Sequence, residues 1–233
     1  MSRLLYFDME WVPLSKDLNS LSKEYPLQYD AWMRRYKKWN EQGKYLDKTA
    51  AEVYNEECGF YAEYIKIIVI SFGYYNRNGE FKVDSCYGDN EKELLLNAAT
   101  VLNKVGSTYA LCGHSIKRFD MPFLAKRMAF NGINIPFLLN VGPLKPWERT
   151  AVDIAEMWGF GCNQEMFTPL DWICTSLGVE TSKSGISGKD IANAYWDENR
   201  LEEIREYCEN DVIVTAKVER KLSSLINPTV VEK

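Results

Sequence analysis

Leu4-Leu5-Tyr6-Phe7-Asp8-Met9-Glu10-Trp11-Val12-Pro13, almost at the start of the chain, is the stretch whose reading decides the fold. The apolar run from Leu4 to Phe7 reads as a buried β-strand, and Pro13 marks its end. Side chains alternate faces along a strand, so Asp8 and Glu10 point the same way while Met9 turns to the other side. Two carboxylates on one surface repel each other unless something positive lies between them, and a hard divalent cation with oxygen ligands is the common answer. The pattern is short: average composition yields Asp-x-Glu about once in a chain of this length, and Asp89-Asn90-Glu91 repeats it in a polar turn. A strand end whose acids face water stands as the alternative until the rest of the chain is read.

The 233 residues are expected to form a single domain, residues 1–233, with residues 14–64 as an insertion inside it. Hydrophobic residues at 46% and charged residues at 26% describe an ordinary globular protein. No run of 18 apolar residues and no basic-then-apolar leader occurs, so no membrane association and a cytoplasmic location are expected. Six cysteines without a Cys-x-x-Cys pair read as reduced core residues rather than a zinc site. The net charge of −5 argues against broad electrostatic capture of a duplex, but a local basic patch fits inside an acidic total.

Working outward, residues 14–64 are polar, aromatic-rich and helical in pattern. Tyr29, Trp32, Met33, Tyr36 and Trp39 share one helical face, with Arg34, Arg35, Lys37 and Lys38 between them. Interleaved cations and rings suit a single-stranded nucleic acid, which offers phosphates and bases. The competing reading, which we favour, packs the aromatics on the sheet and solvates the charges. From Ile65 to Tyr74 the β-branched and aromatic content marks a central strand, and a turn at Asn76–Gly79 leads to a third strand near Phe81–Cys86. A helix over 91–104 and a short strand at 109–112 add a parallel crossover to this antiparallel meander. The class is α/β.

The second chemical stretch is Gly113-His114-Ser115-Ile116-Lys117-Arg118-Phe119-Asp120-Met121-Pro122, where Asp120 opens a helix and reads as a cap or a ligand. Residues 131–170 are punctuated by glycine and proline, and Thr168 is expected to cap a short helix. Residues 183–189, Lys-Ser-Gly-Ile-Ser-Gly-Lys, lack a full phosphate-loop pattern and read as a plain connector. The last helix, over 198–225, carries the third stretch, Tyr207-Cys208-Glu209-Asn210-Asp211. Tyr207 and Asp211, four apart, share a face near the buried stripe, where an acid needs a partner.

Asp-x-Glu on the first strand, Phe-Asp opening a mid-chain helix and Tyr-x-x-x-Asp on the last helix, in that order, resemble the DEDD superfamily of 3′-to-5′ exonucleases in its tyrosine-bearing branch. More narrowly, the chain is similar to stand-alone exonucleases related to the proofreading domain of family B DNA polymerases, and the resemblance covers essentially its whole length. It implies a ribonuclease H-like fold, a mixed central sheet flanked by helices, with the helical insertion after the first strand. It implies Asp8, Glu10, Asp120 and Asp211 as ligands of two Mg2+ or Mn2+ ions. Tyr207 would orient or help deprotonate the attacking water. Met9, by backbone and side chain, and the ring of Phe119 would bracket the terminal nucleotide, with Lys117 and Arg118 near the trailing strand. Ser115 stands where the family usually has asparagine, which puts substrate handling in question. His114, where tyrosine is common, is expected to be structural.

The activity implied is phosphodiester hydrolysis from the 3′ end of DNA, as single strands or frayed ends. The alternatives are the same chemistry on RNA and a silent nucleic-acid-binding module. Few residues follow the last helix, so proofreading would call on a separate polymerase or repair partner.

Overall fold

The computed structural model describes residues 3–145, 150–162, 168–181 and 185–226. The decisive stretch is an eleven-residue strand, β1 (Arg3–Pro13), at the centre of a five-stranded sheet. β2 (Ile65–Tyr75) pairs antiparallel with it on one side and β3 (Phe81–Tyr87) follows antiparallel. On the other side β4 (Tyr109–Gly113) and the short β5 (Val152–Asp153) add in parallel, giving the order β3-β2-β1-β4-β5. The mixed α/β sheet expected from the sequence is therefore present, with β1 rather than β2 as its middle strand.

The two-residue period of β1 sorts its side chains into two cores. Leu5, Phe7 and Met9 pack with α4 (Glu91–Val105) and α5 (Asp120–Phe130). Tyr6 faces the opposite way, against α9 (Leu201–Ile226). Asp8 and Glu10 continue the Tyr6 face, opposite Ser71 and Val69 of β2, and a bulge between Glu10 and Trp11 interrupts the ladder just beyond them. The helix α9 lies close on the sheet because Gly73 has no side chain: a Cβ there would sit 2.7 Å from Val212 and 2.4 Å from Phe81. Asn199, left-handed at φ 53°, breaks the chain just before α9, which begins at Leu201 rather than at 198.

The insertion folds as α1 (Leu18–Glu24), α2 (Pro26–Glu41) and α3 (Ala50–Glu57), followed by tight turns at Cys58–Phe60 and Ala62–Tyr64. Local signals start each helix: Asp17 caps α1, Pro26 opens α2, and Thr49 with Glu52 forms a capping box on α3. The aromatic face of α2 is a packing face, as favoured from the sequence, but its partner is the insertion itself and not the sheet. Trp32 is fully buried, with ring centroids 5.3 Å from Tyr54 and 4.9 Å from Tyr64.

A buried ion pair ties the other helical layer to the sheet. Arg127 of α5 meets Glu91 of α4 at 2.5 Å, and Glu91 also accepts the Ile67 amide of β2. Between β5 and α9, α6 (Ile154–Gly159), α7 (Leu170–Leu177) and α8 (Ile191–Trp196) complete the described helices. Pro169, not Thr168, occupies the N-cap of α7 without a side-chain cap; the Thr168 carbonyl instead meets a ring nitrogen of His114 at 2.9 Å. Of the 183–189 loop, Lys183 and Ser184 lie outside the described residues. The rest is a turn in which Ser187 donates to Asp190 and Ile186 is buried.

Candidate active site

Three elements bring the sequence-predicted acids together. β1 supplies Asp8 and Glu10, and α9 runs across that face and supplies Tyr207 and Asp211 one turn apart. Asp120 arrives from a different direction. The parallel pairing of β1 with β4 stops at Tyr6–Cys112, so the edge of β1 beyond it is open. The chain leaves β4 at Gly113, where a Cβ would stand 2.1 Å from Ile116 and 2.6 Å from the Phe7 carbonyl. It then turns through Ser115, left-handed at φ 58°, and begins α5 with Asp120 at the open edge. Phe119 holds the N-cap position and Asp120 the first helical one, so Asp120 is not the N-cap residue of α5. Its carboxylate is buried, and the backbone amides of Asp120 and Met9 lie close enough to pull its pKa down.

The loop between Gly113 and Asp120 is held by a residue that the sequence did not single out. Asp153, at the end of β5, accepts the Ser115 amide at 2.8 Å, the Lys117 amide at 3.1 Å and the Ala155 amide at 3.0 Å. Cys208 was read only as a core residue. Its thiol lies within 4.8 Å of oxygens of Asp8 and Glu10 and donates to Asp8 at 3.5 Å. Asp171 of α7 is a further acid close enough to raise the pKa of Asp211. Asp153 and Asp171 are placed by separate elements, so no spacing rule connects them to the acids; Cys208 lies on α9 three residues before Asp211, a helical spacing that would have pointed to it.

The electrostatics are those of crowded carboxylates. Burial, then Asp120 and Asp211, push Asp8 well above the usual range. Burial, then Asp8, Asp211 and Asp120, do the same to Glu10. Burial lifts Asp120 to about 7 against the pull of two amides, and Asp211 to about 6 against the pull of the Tyr207 hydroxyl one turn away. Among the described residues no lysine or arginine forms an ion pair with any of the four. The Tyr207 hydroxyl is pushed up by burial and then by Asp211, Glu10 and Asp8, so it is a neutral phenol at physiological pH. Cys208 likewise stays a thiol, raised by burial and then by Asp8 and Glu10. Hard divalent cations select oxygen ligands, and this oxygen-rich, cation-free group fits one.

The remaining sequence candidates separate. Phe119 is half-buried beside Asp120, with the exposed Arg118 guanidinium 5.2 Å from its ring centre. Lys117 is engaged by Glu156 at 2.5 Å. Met9 departs from expectation: its side chain is 2% exposed and packs in the core on the far face, leaving only its backbone at the site. Ser115 is buried, so its place in the loop is set by backbone conformation rather than by reach toward a ligand. His114 is half-buried at the end of β4, in the structural position expected for it.

No curated protein matches the chain. Among solved structures, the family B DNA polymerase of the hyperthermophilic archaeon Pyrobaculum calidifontis superposes over 95% of the chain with a TM-score of 0.56 and 14% identity. The chain spans 24% of that polymerase. The likeness is one of fold, and it establishes the ribonuclease H-like arrangement of the mixed sheet. No described helix is long and apolar enough to cross a membrane. Residues 60–222, well over half the chain and including Asp120, Tyr207 and Asp211, match the family described as predicted 3′-5′ exonucleases related to the exonuclease domain of PolB, and the chain belongs to that family.

Proposed function

We propose that this protein is a metal-dependent exonuclease that removes nucleotides from the 3′ end of DNA, acting on single strands or frayed ends. The observation that carries the reading is the convergence of Asp8, Glu10, Asp120 and Asp211, with pKa values pushed up and no basic side chain among the described residues to neutralise them. Such clustering of perturbed acids is costly in a purely structural role and marks functional sites. DNA is favoured over RNA because the polymerase sharing the fold is a DNA polymerase.

Asp8, Glu10, Asp120 and Asp211 would hold two Mg2+ or Mn2+ ions. Bound there, such ions supply an activated water and neutralise charge on the attacked phosphate and the leaving oxygen. Tyr207, kept neutral by burial and the acids beside it, orients the attacking water through its hydroxyl; it is too weak an acid to be a phenolate base at neutral pH. The Met9 amide, at β1, pulls the pKa of both Asp8 and Asp120 down. Phe119 offers a ring against which the terminal base stacks. Arg118, exposed beside Phe119, would meet a phosphate of the trailing strand.

The test is digestion of 5′-labelled DNA and RNA strands of matched sequence with Mg2+ or Mn2+, with EDTA and Asp8→Ala as controls. A ladder shortening from the 3′ end, lost in both controls and faster on DNA, is the expected result. Undiminished cleavage by Asp8→Ala would refute the assignment of the site. Cleavage of neither strand by the metal-loaded wild type would leave a binding module.

A further inference from the structure

The residue after Glu10 connects the acids to the insertion. The Trp11 indole donates to the Gly59 carbonyl at 3.0 Å, so the Cys58–Phe60 turn of the insertion is fastened one residue from the site. Trp11 also packs on Phe123 at 5.5 Å, and Phe123 on Phe119 at 5.9 Å, which joins the turn to the ring beside Asp120. Phe60, next along the turn, is 59% exposed. Beyond it Tyr61 lies under the guanidinium of Arg35 at 4.0 Å, and Trp39 under the same group at 5.2 Å. The Lys44 ammonium lies 4.9 Å from the centre of the Trp39 ring. A line of rings thus leads from the acids to the basic edge of α2.

That edge is out of keeping with the rest of the chain. Between Arg34 and Lys44 there are five cations and one carboxylate, Glu41, in a protein of net charge −5. Arg34, Lys37 and Lys38, at spacings of three and four, share one exposed helical face. None of the five forms an ion pair among the described residues. Three of the insertion's carboxylates are engaged elsewhere: Glu56 by Lys48, Glu57 by Tyr45 and Glu63 by Lys126. Unpaired cations bordering exposed or half-exposed rings are what the backbone and bases of a single strand require.

We propose that the insertion is a strand-tracking surface: single-stranded DNA whose 3′ end lies at the acids runs past Phe119 and Phe60 and lays its phosphates on Arg34, Lys37 and Lys38. This rests on the exonuclease reading for the position of the 3′ end. The aromatic core of the insertion gives the surface rigidity, and its half-exposed rim gives it stacking sites; Trp32, which the sequence pattern placed among the stacking candidates, is excluded by burial.

The experiment compares wild type with the triple variant Arg34→Gln, Lys37→Gln, Lys38→Gln on a DNA strand of about 20 nucleotides, long beside known single-strand site sizes, and on a dinucleotide that cannot reach α2. The expected result for the long strand is a KM raised about tenfold or more at low salt. Its logarithmic salt dependence should also flatten by about 2, since each phosphate contact on a single strand contributes about 0.7. Dinucleotide hydrolysis and the melting temperature should be unchanged. Equal KM and salt slope on the long strand, with activity intact, would overturn the tracking surface and leave the exonuclease reading standing. If the wild type cleaves neither substrate, the exonuclease reading fails by itself. Equilibrium binding of the same strand then judges the surface, and equal affinity of the two proteins overturns it.

Discussion

Replacing Asp120 by Asn should make the metal-free protein more stable while disabling it. Burial lifts this carboxyl from 3.8 to about 7, and each tenfold change in acidity corresponds to about 1.4 kcal/mol. Keeping Asp120 ionised in the fold at pH 8 therefore costs up to about 4 kcal/mol. Its charge also raises Asp8 and Glu10, so neutralising it relieves them too. Asn retains one oxygen for the amides of residues 9 and 120 but loses some hydrogen-bond strength, leaving a net gain of about 2–3 kcal/mol. For a chain of this size that is a rise of roughly 5–10 °C in Tm. The sign follows from the direction of the shift. A group whose folded pKa is raised contributes its stability fully below the unfolded value, and the contribution is lost as pH rises through about 7. Thermal melts in EDTA should show wild type weakening from pH 5 to pH 8, with the variant level with it at pH 5 and above it at pH 8. Added Mg2+ should raise the wild type and leave the variant almost unmoved. A wild type whose metal-free Tm does not change across this range, or a variant no more stable at pH 8, would refute the account of crowded acids.

Tyr207→Phe should lower the rate about 100-fold, within the range for one positioned proton-handling group. It should keep the Mg2+-induced rise in Tm, because the carboxylates remain; loss of that rise would make Tyr207 part of the ion site. Arg127→Leu should destabilise the fold by about 3–5 kcal/mol by stranding the buried Glu91, and adding Glu91→Gln should recover part of it in urea melts. Gly113→Ala should cost about 1–3 kcal/mol and most activity, since the new Cβ meets the Phe7 carbonyl at 2.6 Å, backbone that cannot swing aside. A fully active Gly113→Ala protein would show that the approach of this loop to β1 is not what sets Asp120.

How much of the site was legible depended on whether its geometry is local. Asp8 and Glu10 lie two apart on a strand, and Tyr207 and Asp211 four apart on a helix, so the periods of those elements fixed their relation without tertiary information. Asp120 was ambiguous, because an acid opening a helix looks the same as cap or ligand in sequence; the fold buries it beside β1 with no side-chain cap bond at the start of α5. The three stretches were joined by the family resemblance, which their order, spacing and strand or helix context carried. Thr168 failed as a cap because Pro169 takes that position. Met9 failed as a side-chain contact by the same alternation that aligned its neighbours, since pointing Asp8 and Glu10 outward turns Met9 into the core.

By itself, then, the sequence determined the first four strands and the longer helices, but not β5, α6 or α8; it also determined the shared face of the first two acids, the shared helical face of tyrosine and the last acid, and the amphipathic character of the insertion. Those are short-range properties of backbone period and side-chain polarity. Only the tertiary structure decided that β1 is the middle strand, that the β1–β4 ladder stops in time to leave an edge for Asp120, and that Asp153 holds the intervening loop. It also decided that the aromatic face of α2 closes on its own insertion while its cations stay outside, on a rim joined through Trp11 to the acids. These depend on which surfaces meet across long stretches of chain, and that is settled by the packing of whole elements, not by any pattern within one of them.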